Sequence, residues 1–301
     1  MSLTSATKVT PAEPAPPASP VVRTKRRRKP GDLAANLAGV VVLLVMIFPV
    51  YWMINTSFQR GVDIQSDTPN FLPWHATLNN YRKAFDQGDF LSALRNSLVV
   101  TLLTVTVAIV FALLAAVAVS RFRFRGRTTF IVAVLVVQMI PAEAMVISLF
   151  KVLDGWQLVN TVTGLTLVYL VVVLPFTIWT LRGFVAGVPI ELVEAAMVDG
   201  CSRFQAFRKV TFPLMAPGLV ATGTFAFIQA WNEFTFALVL MNRPENQTLP
   251  VWLQTFNEGA KGTDWGGVMA GSTLMAIPVI VFFMIVQGRM TEGLVAGAVK
   301  G

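Results

Sequence analysis

Five long stretches of the chain contain no charged residue. They cover residues 33–59, 96–120, 155–181, 210–232 and 265–288. Each is long enough to cross a bilayer as a helix, which takes about 20 predominantly apolar residues. A sixth stretch, about Thr129 to Phe150, is broken by Pro141 and holds Glu143. We interpret it as a span because the topology requires one there. The pattern predicts an all-α membrane protein with six transmembrane helices in residues 33–301.

The composition indicates the same class. Hydrophobic residues make up 54% of the 301 positions and charged residues only 13%, about half the usual charged fraction of a soluble domain. Cys201 is the only cysteine, so no disulfide can form within the chain. The net charge of +8 comes mostly from the N-terminal segment. It therefore reflects membrane topology and does not indicate a nucleic-acid partner.

Residues 1–32 differ in composition from the rest of the chain. They are rich in Pro, Ala, Ser and Thr and then become basic from Arg23 to Lys29. Such a segment buries too little apolar surface to order itself, so we predict a disordered basic cytoplasmic tail. Specific binding of lipid or of a regulator is the alternative. A cleaved signal peptide is not expected, because the following apolar run exceeds the 7–15 residues of a signal.

The charges in the loops predict the orientation of the spans. With the N-terminus inside, the inside segments carry 17 Lys and Arg and the outside segments carry 7. Lys and Arg accumulate on the cytoplasmic side of membrane proteins, so both termini are predicted to be cytoplasmic. The basic hairpin Arg121–Arg127 is the clearest inside marker. The same count places the loop 189–213 in the cytoplasm.

The loop 189–213 has the pattern of two short helices separated by a turn. Gly200 can take the left-handed conformation that ends a helix. Ser202 and Gln205 have the spacing of a capping box, so a second helix is predicted to start there. Pro213 is predicted to end this second helix before the next span begins.

A motif within this loop resembles a known family. Glu194-Ala195-Ala196 is followed after three residues by Gly200, and after nine more by Val-Thr-Phe-Pro, ending at Pro213. This resembles the EAA motif of ABC importer permeases, with Val and Phe replacing the family's Ile and Leu. The resemblance implies a coupling helix that docks in a cleft of a cytoplasmic ATPase. The coupling residues that it implies are Glu194, Ala195, Ala196, Asp199, Gly200, Phe204, Phe207 and Pro213. The alternative is an amphipathic loop that packs on its own protein.

Other stretches narrow the resemblance. They are Thr77–Tyr81, Arg95–Leu98, Ala118–Phe122, Gln138–Pro141, Trp231–Phe234 and Gly293–Gly301. Together they are similar to the MalG-type permeases of carbohydrate-uptake ABC importers, from about Leu37 to Gly301. The resemblance implies the type I permease fold in a bacterial inner membrane.

The resemblance also implies the partners of the chain. These are a second permease of the MalF type, two ATPase subunits, an extracytoplasmic solute-binding protein, a sugar and the surrounding membrane lipid. A homodimer is the alternative to the second permease. ATP and Mg²⁺ would be held by the ATPase, so this chain is expected to bind no cofactor or metal and to catalyse no reaction.

Polar residues at membrane depth are candidates for the translocation path. Gln138 and Glu143 flank the proline break of the third span, and broken helices with polar residues usually line a cavity. Trp231, Asn232 and Glu233 lie about 24 Å into a span that starts near Pro217, where a carboxylate faces protein or water. Trp231 offers an apolar face of the kind that stacks on sugars. For Glu233 the alternative is a packing role, with pairing to a neighbouring span or protonation.

Motifs that the chain lacks argue against some classes of membrane protein and leave others open. The chain contains no Gly-Lys dipeptide, so it has no phosphate-binding loop for ATP. The spans contain neither His nor Asp, which argues against an intramembrane hydrolase. Half of a proton- or ion-coupled secondary transporter, with Glu233 carrying the charge, stays an alternative. An importer permease for a solute other than a sugar is another.

Overall fold

The computed structural model describes residues 30–86, 89–257, 259 and 262–298. The α-helices are α1 (Pro30–Ser57), α2 (Gly61–Ile64), α3 (Asn79–Asp86), α4 (Phe90–Arg121), α5 (Arg127–Gln138), α6 (Val146–Gly155), α7 (Val162–Gly187), α8 (Ile190–Val198), α9 (Arg203–Ala206), α10 (Phe212–Trp231), α11 (Thr235–Leu240), α12 (Leu249–Trp252) and α13 (Trp265–Ala298). Short 3₁₀ turns occupy Ala142–Met145, Pro244–Asn246 and Leu253–Phe256, and a π-helical turn occupies Phe207–Thr211.

The predicted N-terminal tail lies almost entirely outside the described residues. Helix α1 already begins at Pro30, a residue that the first turn of a helix tolerates because its missing N–H would have no partner there. The last three positions of the predicted tail, residues 30–32, are therefore helical. The division between the tail and the membrane domain stays a prediction.

Five helical segments of the described chain are long and apolar enough to cross a membrane. They are Ala35–Ser57, Phe90–Arg121, Val162–Gly187, Arg203–Trp231 and Trp265–Gly288. The sixth predicted span is a pair of helical segments, Arg127–Gln138 and Ala142–Gly155, bent by 91°. The predicted break at Pro141 is confirmed. Proline causes such a break because it has no N–H to donate and disfavours helical geometry in the residue before it. The six-span prediction holds when this bent pair counts as one span.

Helices α4 and α7 pack closely in the interior. Ala112 and Ala116 of α4 form one buried cluster with Leu181 and Val185 of α7 and Met215 of α10. Without a hydrophobic driving force between helices in lipid, small residues stabilise such contacts by allowing close approach. The alanines thus explain why α4, a helix with an almost uniformly apolar sequence, packs in this orientation.

Helix α10 approaches α7 through a glycine. A Cβ atom on Gly218 would lie 2.3 Å from Cγ of the Phe184 ring. Only a residue without a side chain fits this contact unless the ring moves. Gly218 therefore lets the Phe184 ring lie directly on the backbone of α10.

The loops gather at the two ends of α4 as the charge pattern predicts. At its C-terminal end, Arg121 donates hydrogen bonds to the carbonyl oxygens of Val185 and Val188 at 2.8 and 2.7 Å. At its N-terminal end, Asn96 donates to the carbonyl oxygens of Glu245 and Gln247 at 3.0 and 3.1 Å. Two segments that are predicted to lie inside therefore meet at one end of α4, and a segment that is predicted to lie outside contacts its other end.

Candidate functional site

The turn between α8 and α9 is held by backbone hydrogen bonds. Gly200 has a positive φ of 89°. Its N–H donates to the carbonyl of Met197 at 3.1 Å, and the N–H of Cys201 donates to the carbonyl of Ala196 at 3.0 Å. This is the Schellman arrangement, which satisfies the last carbonyls of a helix and needs a left-handed residue. The prediction that Gly200 ends the first loop helix is confirmed.

A capping box starts α9. The N–H of Gln205 donates to Oγ of Ser202 at 3.3 Å, and the N–H of Ser202 donates to Oε1 of Gln205 at 2.8 Å. Two backbone donors that the first turn leaves unpaired are thereby satisfied reciprocally. The predicted second helix is confirmed, and the turn between the two helices is fixed from both sides.

Pro213 does not end the second loop helix, so that prediction is wrong. Helix α9 continues through the π-turn Phe207–Thr211 into α10, where Pro213 lies in the first turn. The N–H of Phe212 donates to the carbonyl of Phe207, five residues back. This wider turn satisfies the backbone just before the proline, whose missing N–H would otherwise interrupt the helix. The second loop helix and the fifth span are consequently one continuous element.

The loop exposes apolar side chains. Val198 is 87% exposed and Phe204 is 71% exposed, and Ile190, Leu192 and Met197 are exposed as well. Among the implied coupling residues, Glu194, Ala195, Asp199 and Gly200 are exposed, whereas Ala196 and Phe207 are half-buried. A loop that packed on its own protein would bury its large apolar groups. Exposed apolar side chains in a loop outside the spans are instead typical of an interaction surface.

A cavity of about 360 Å³ lies at the bend of the third span. Gln138 and Glu143 line it from the two sides of Pro141, and Phe176 of α7 and Gln229 of α10 line it from the neighbouring helices. The structure thus brings together two of the predicted path residues. It also adds Gln229, Phe176 and Phe225, which the sequence analysis missed. Gln229 carried a usable signal, because an amide within a charge-free span is unusual, even close to the end of that span.

Glu233 lies in a break between helices. Helix α10 ends at Trp231 and α11 begins at Thr235, so the prediction that Glu233 sits within the span helix is wrong. Its carboxylate oxygens accept from the N–H groups of Phe236 at 2.8 Å and Ala237 at 3.1 Å. A carboxylate at the N-terminus of a helix satisfies unpaired donors and faces the positive end of the helix dipole. Glu233 therefore holds the start of α11, a role that the sequence analysis did not consider.

The two residues before Glu233 have different environments. Trp231 is 1% exposed and stacks on Phe227 with a centroid distance of 5.7 Å. The ring is therefore largely covered by protein, although Trp231 and Asn232 line a second cavity of about 310 Å³ together with Ser272 and Met275 of α13. The stacking of a sugar on Trp231 stays a prediction. Asn232 is exposed and donates to the carbonyl of its own helix at Ile228, 2.9 Å away. Residues 231–233 do not line the cavity of Gln138 and Glu143.

Comparisons with known proteins agree with this architecture. The chain is 45% identical to the diacetylchitobiose uptake system permease protein DasC of Streptomyces coelicolor, over 90% of this chain and 98% of that one. It is 38% identical to the trehalose transport system permease protein SugB of Mycobacterium tuberculosis, over 85% and 93% of the two chains. A chain in the crystal structure of a bacterial ABC transporter that imports alginate has a TM-score of 0.72 at 22% identity. It covers 87% of this chain and 98% of its own length, which shows a shared fold.

The family match decides between the classes left open by the sequence. The model of the family described as binding-protein-dependent transport system inner membrane component matches residues 108–294, more than half of the chain. Membership of this family replaces the alternative of a secondary transporter half, because the family consists of transport system components that work with a binding protein. The bent third span, the loop of α8 and α9 and the continuous fifth span are thus features of a multi-pass inner-membrane permease, and the chain belongs to the binding-protein-dependent ABC importer permeases.

Proposed function

We propose that this chain is the permease subunit of an ATP-driven sugar importer and couples to its ATPase through the loop 189–213. The observation that carries the coupling role is an ordered turn, capped on both sides, that exposes large apolar groups. Order and exposure together suit a rigid surface that binds a second protein. ATP and Mg²⁺ belong to the ATPase in this proposal, and this chain holds neither.

The continuous helix from α9 to α10 suggests how motion is transmitted. Arg203–Trp231 spans 29 residues, which corresponds to about 40 Å of helix. A push on the loop by the ATPase would move the far end of this helix as a single body. That end lies next to the break at Glu233, where α11 can change direction. The proposal is that the fifth span is the lever and the break is its hinge.

The cavity at the third span is the proposed lining of the translocation path. Gln138, Glu143 and Gln229 are exposed there, and amide and carboxylate groups are suited to sugar hydroxyls. A second permease of the MalF type would close the other half of the path, with a homodimer as the alternative. An extracytoplasmic binding protein would deliver the sugar to the loops at the Asn96 end of α4. Both termini would lie in the cytoplasm.

The proposed substrate is a disaccharide or a short oligosaccharide. The relatives named for diacetylchitobiose and for trehalose support a sugar with two rings. Uptake of labelled disaccharides by cells that lack this permease, with and without the chain restored, tests the substrate class. Restored uptake of a disaccharide is the expected result. Binding-protein-dependent uptake of a non-sugar solute alone would replace the substrate class and leave the coupling proposal intact.

A pull-down with the tagged chain tests the partners. Wild type should recover an ATPase and a second permease from detergent extracts. A Glu194→Arg, Gly200→Val variant should lose only the ATPase. The matched control Glu191→Arg, Gly187→Val changes an exposed glutamate and an exposed glycine nearby, neither of which the motif implies in coupling, and should keep it. Loss of the ATPase from both variants, or from neither, would contradict coupling through the capped turn.

A further inference from the structure

We propose that the basic hairpin between α4 and α5 contains a binding site for the headgroup of an anionic phospholipid, next to the junction that leads into the coupling loop. The site is a cavity of about 300 Å³. It is lined by Ser120, Arg121, Phe122, Arg123, Arg127 and Ile190. The proposal rests on the orientation given above, which places this end of α4 in the cytoplasm.

The cavity concentrates positive charge without a protein counter-charge. Three of its six lining residues are arginines, and none is acidic. In the part of the chain that the structure describes, the ion pairs are Arg60–Asp63 and Lys83–Asp264, so these arginines have no carboxylate partner there. Three guanidinium groups around one space repel one another, and a bound anion would relieve that repulsion. Guanidinium groups also match phosphate oxygens in geometry.

Arg121 supplies the inner wall of the cavity. One terminal nitrogen of its guanidinium donates to the carbonyl oxygens of Val185 and Val188. Its Nε is buried and has no hydrogen-bond partner. A buried donor without a partner costs free energy, because it loses its hydrogen bond to water and gains none in return. A phosphate oxygen in the cavity offers the kind of acceptor that this side chain lacks.

The surroundings favour a lipid over a soluble anion. Phe122 and Phe124 alternate with the arginines along the hairpin, and both side chains are exposed. The hairpin directly follows a charge-free stretch that ends at residue 120, so it lies at the edge of the membrane. Exposed aromatic groups between basic groups are typical of a segment that contacts headgroups and upper acyl chains. Basic pockets between spans on the cytoplasmic side are suited to anionic headgroups.

The position of the cavity connects the lipid with coupling. Arg121 donates to the carbonyl oxygens of Val185 in the last turn of α7 and of Val188 just after it. Ile190, the first residue of α8, lines the same cavity. A phosphate on the arginines would therefore stabilise the point at which the fourth span passes into the coupling loop. The membrane composition would in this way set how firmly the base of the loop is held.

Titration of the detergent-purified transporter with labelled phosphatidylglycerol tests the site, with phosphatidylcholine as the neutral lipid. Arg123→Gln and Arg127→Gln should each lower the affinity for phosphatidylglycerol about fivefold, as expected for one basic group at a lipid surface. The matched control is Arg125→Gln, which removes the same charge from the same hairpin but does not line the cavity. The affinity of this variant for phosphatidylglycerol should stay within about twofold of wild type, because salt screens an exposed charge that does not contact the bound headgroup.

Other outcomes would overturn the proposal. An equal loss in all three variants would show a diffuse charge effect and no site. If millimolar inorganic phosphate displaces the labelled lipid, and phosphatidylglycerol binds no better than phosphatidylcholine, the cavity is a site for soluble anions. Loss of the ATPase from the two cavity variants, with lipid binding unchanged, would make it a protein contact.

A separate measurement distinguishes a wrong orientation from a wrong site. A cysteine at Arg125 in a Cys201→Ser background should react with a membrane-impermeant maleimide only after the cells are opened. Labelling in intact cells would contradict the proposed orientation, whatever the lipid titration gives. Suppose that position 125 is not labelled in intact cells and that both cavity variants keep their affinity for phosphatidylglycerol. This result would contradict the lipid site but not the orientation.

Discussion

Two of the helix breaks in this chain are made by different means. At the turn between α8 and α9, Gly200 ends one helix and the Ser202–Gln205 box starts the next. At the break between α10 and α11, neither glycine nor proline is present, and the carboxylate of Glu233 caps the new helix. The first break uses local signals that water-exposed loops commonly carry. The second uses a charged side chain at membrane depth, where unpaired N–H groups are expensive.

A charged residue in a membrane span can therefore have either of two roles. A carboxylate can serve the transported solute, or it can satisfy the backbone of the span that contains it. Both oxygens of Glu233 already accept backbone hydrogen bonds, whereas Glu143 is exposed in the cavity with Gln138. Glu143 is therefore the better candidate for the path, whereas Glu233 caps the start of α11.

The largest effect on stability is expected from Glu233→Ala. The substitution leaves two backbone donors of α11 without their acceptor, which costs about 1–3 kcal/mol. The melting temperature in detergent should fall by several degrees, at about 2–4 °C per kcal/mol. Glu233→Gln keeps one acceptor oxygen and should recover part of that stability. Unchanged melting of the Ala variant would contradict the cap. Full loss of uptake in a stable Gln variant would restore the path role.

The next largest effect is expected from Gly200→Val. A left-handed backbone costs an L-residue roughly 1–2 kcal/mol, which shifts the population of the ordered turn by about 5- to 30-fold. Sugar uptake should fall by a similar factor while membrane insertion stays normal. Gly187→Val is the control, since both sites have open space for a side chain and only Gly200 has a positive φ. Normal uptake in Gly200→Val would show that the turn is not needed for coupling.

A smaller effect is expected from Ser202→Ala, which removes one side of the capping box. Loss of such a cap costs about 1 kcal/mol, so uptake should drop only a few-fold. Gln205→Ala should act similarly, and the double variant should add little, because the two side chains form one reciprocal unit. Fully additive effects would show that the two hydrogen bonds act independently. Uptake assays in vesicles with matched expression provide the measurement.

The smallest effect is expected from Asn232→Ala. Its side chain is exposed and donates to a carbonyl of its own helix, so stability should change by less than about 0.5 kcal/mol. Uptake should follow stability and stay near wild type. A strong loss of uptake at unchanged melting temperature would place Asn232 in the path after all, and would make the break at Glu233 a binding element in addition to a cap.

Much of the fold could be predicted because its signals are local. Charge-free stretches mark the spans, and the αL glycine and the capping box mark the loop, since each depends on residues within a few positions. The continuation of α9 through a π-turn could not be predicted, because proline is a helix-ending signal and only the backbone geometry shows how it is accommodated. The burial of the Trp231 ring could not be predicted either, for another reason. Whether an aromatic ring faces a path or the interior depends on Phe227 and the helices around it.

Cross-linking from the coupling loop to the ATPase tests the central claim most directly. The variant is Val198→Cys, at the exposed end of α8, in a Cys201→Ser background. Trp156→Cys, at the start of the fourth predicted span, is the control. Both positions are exposed, so reactivity alone does not separate them. The account predicts a cross-link to an ATPase subunit from position 198 and none from position 156. An assembled, transport-active complex with no cross-link from position 198, or with one from position 156, would contradict it.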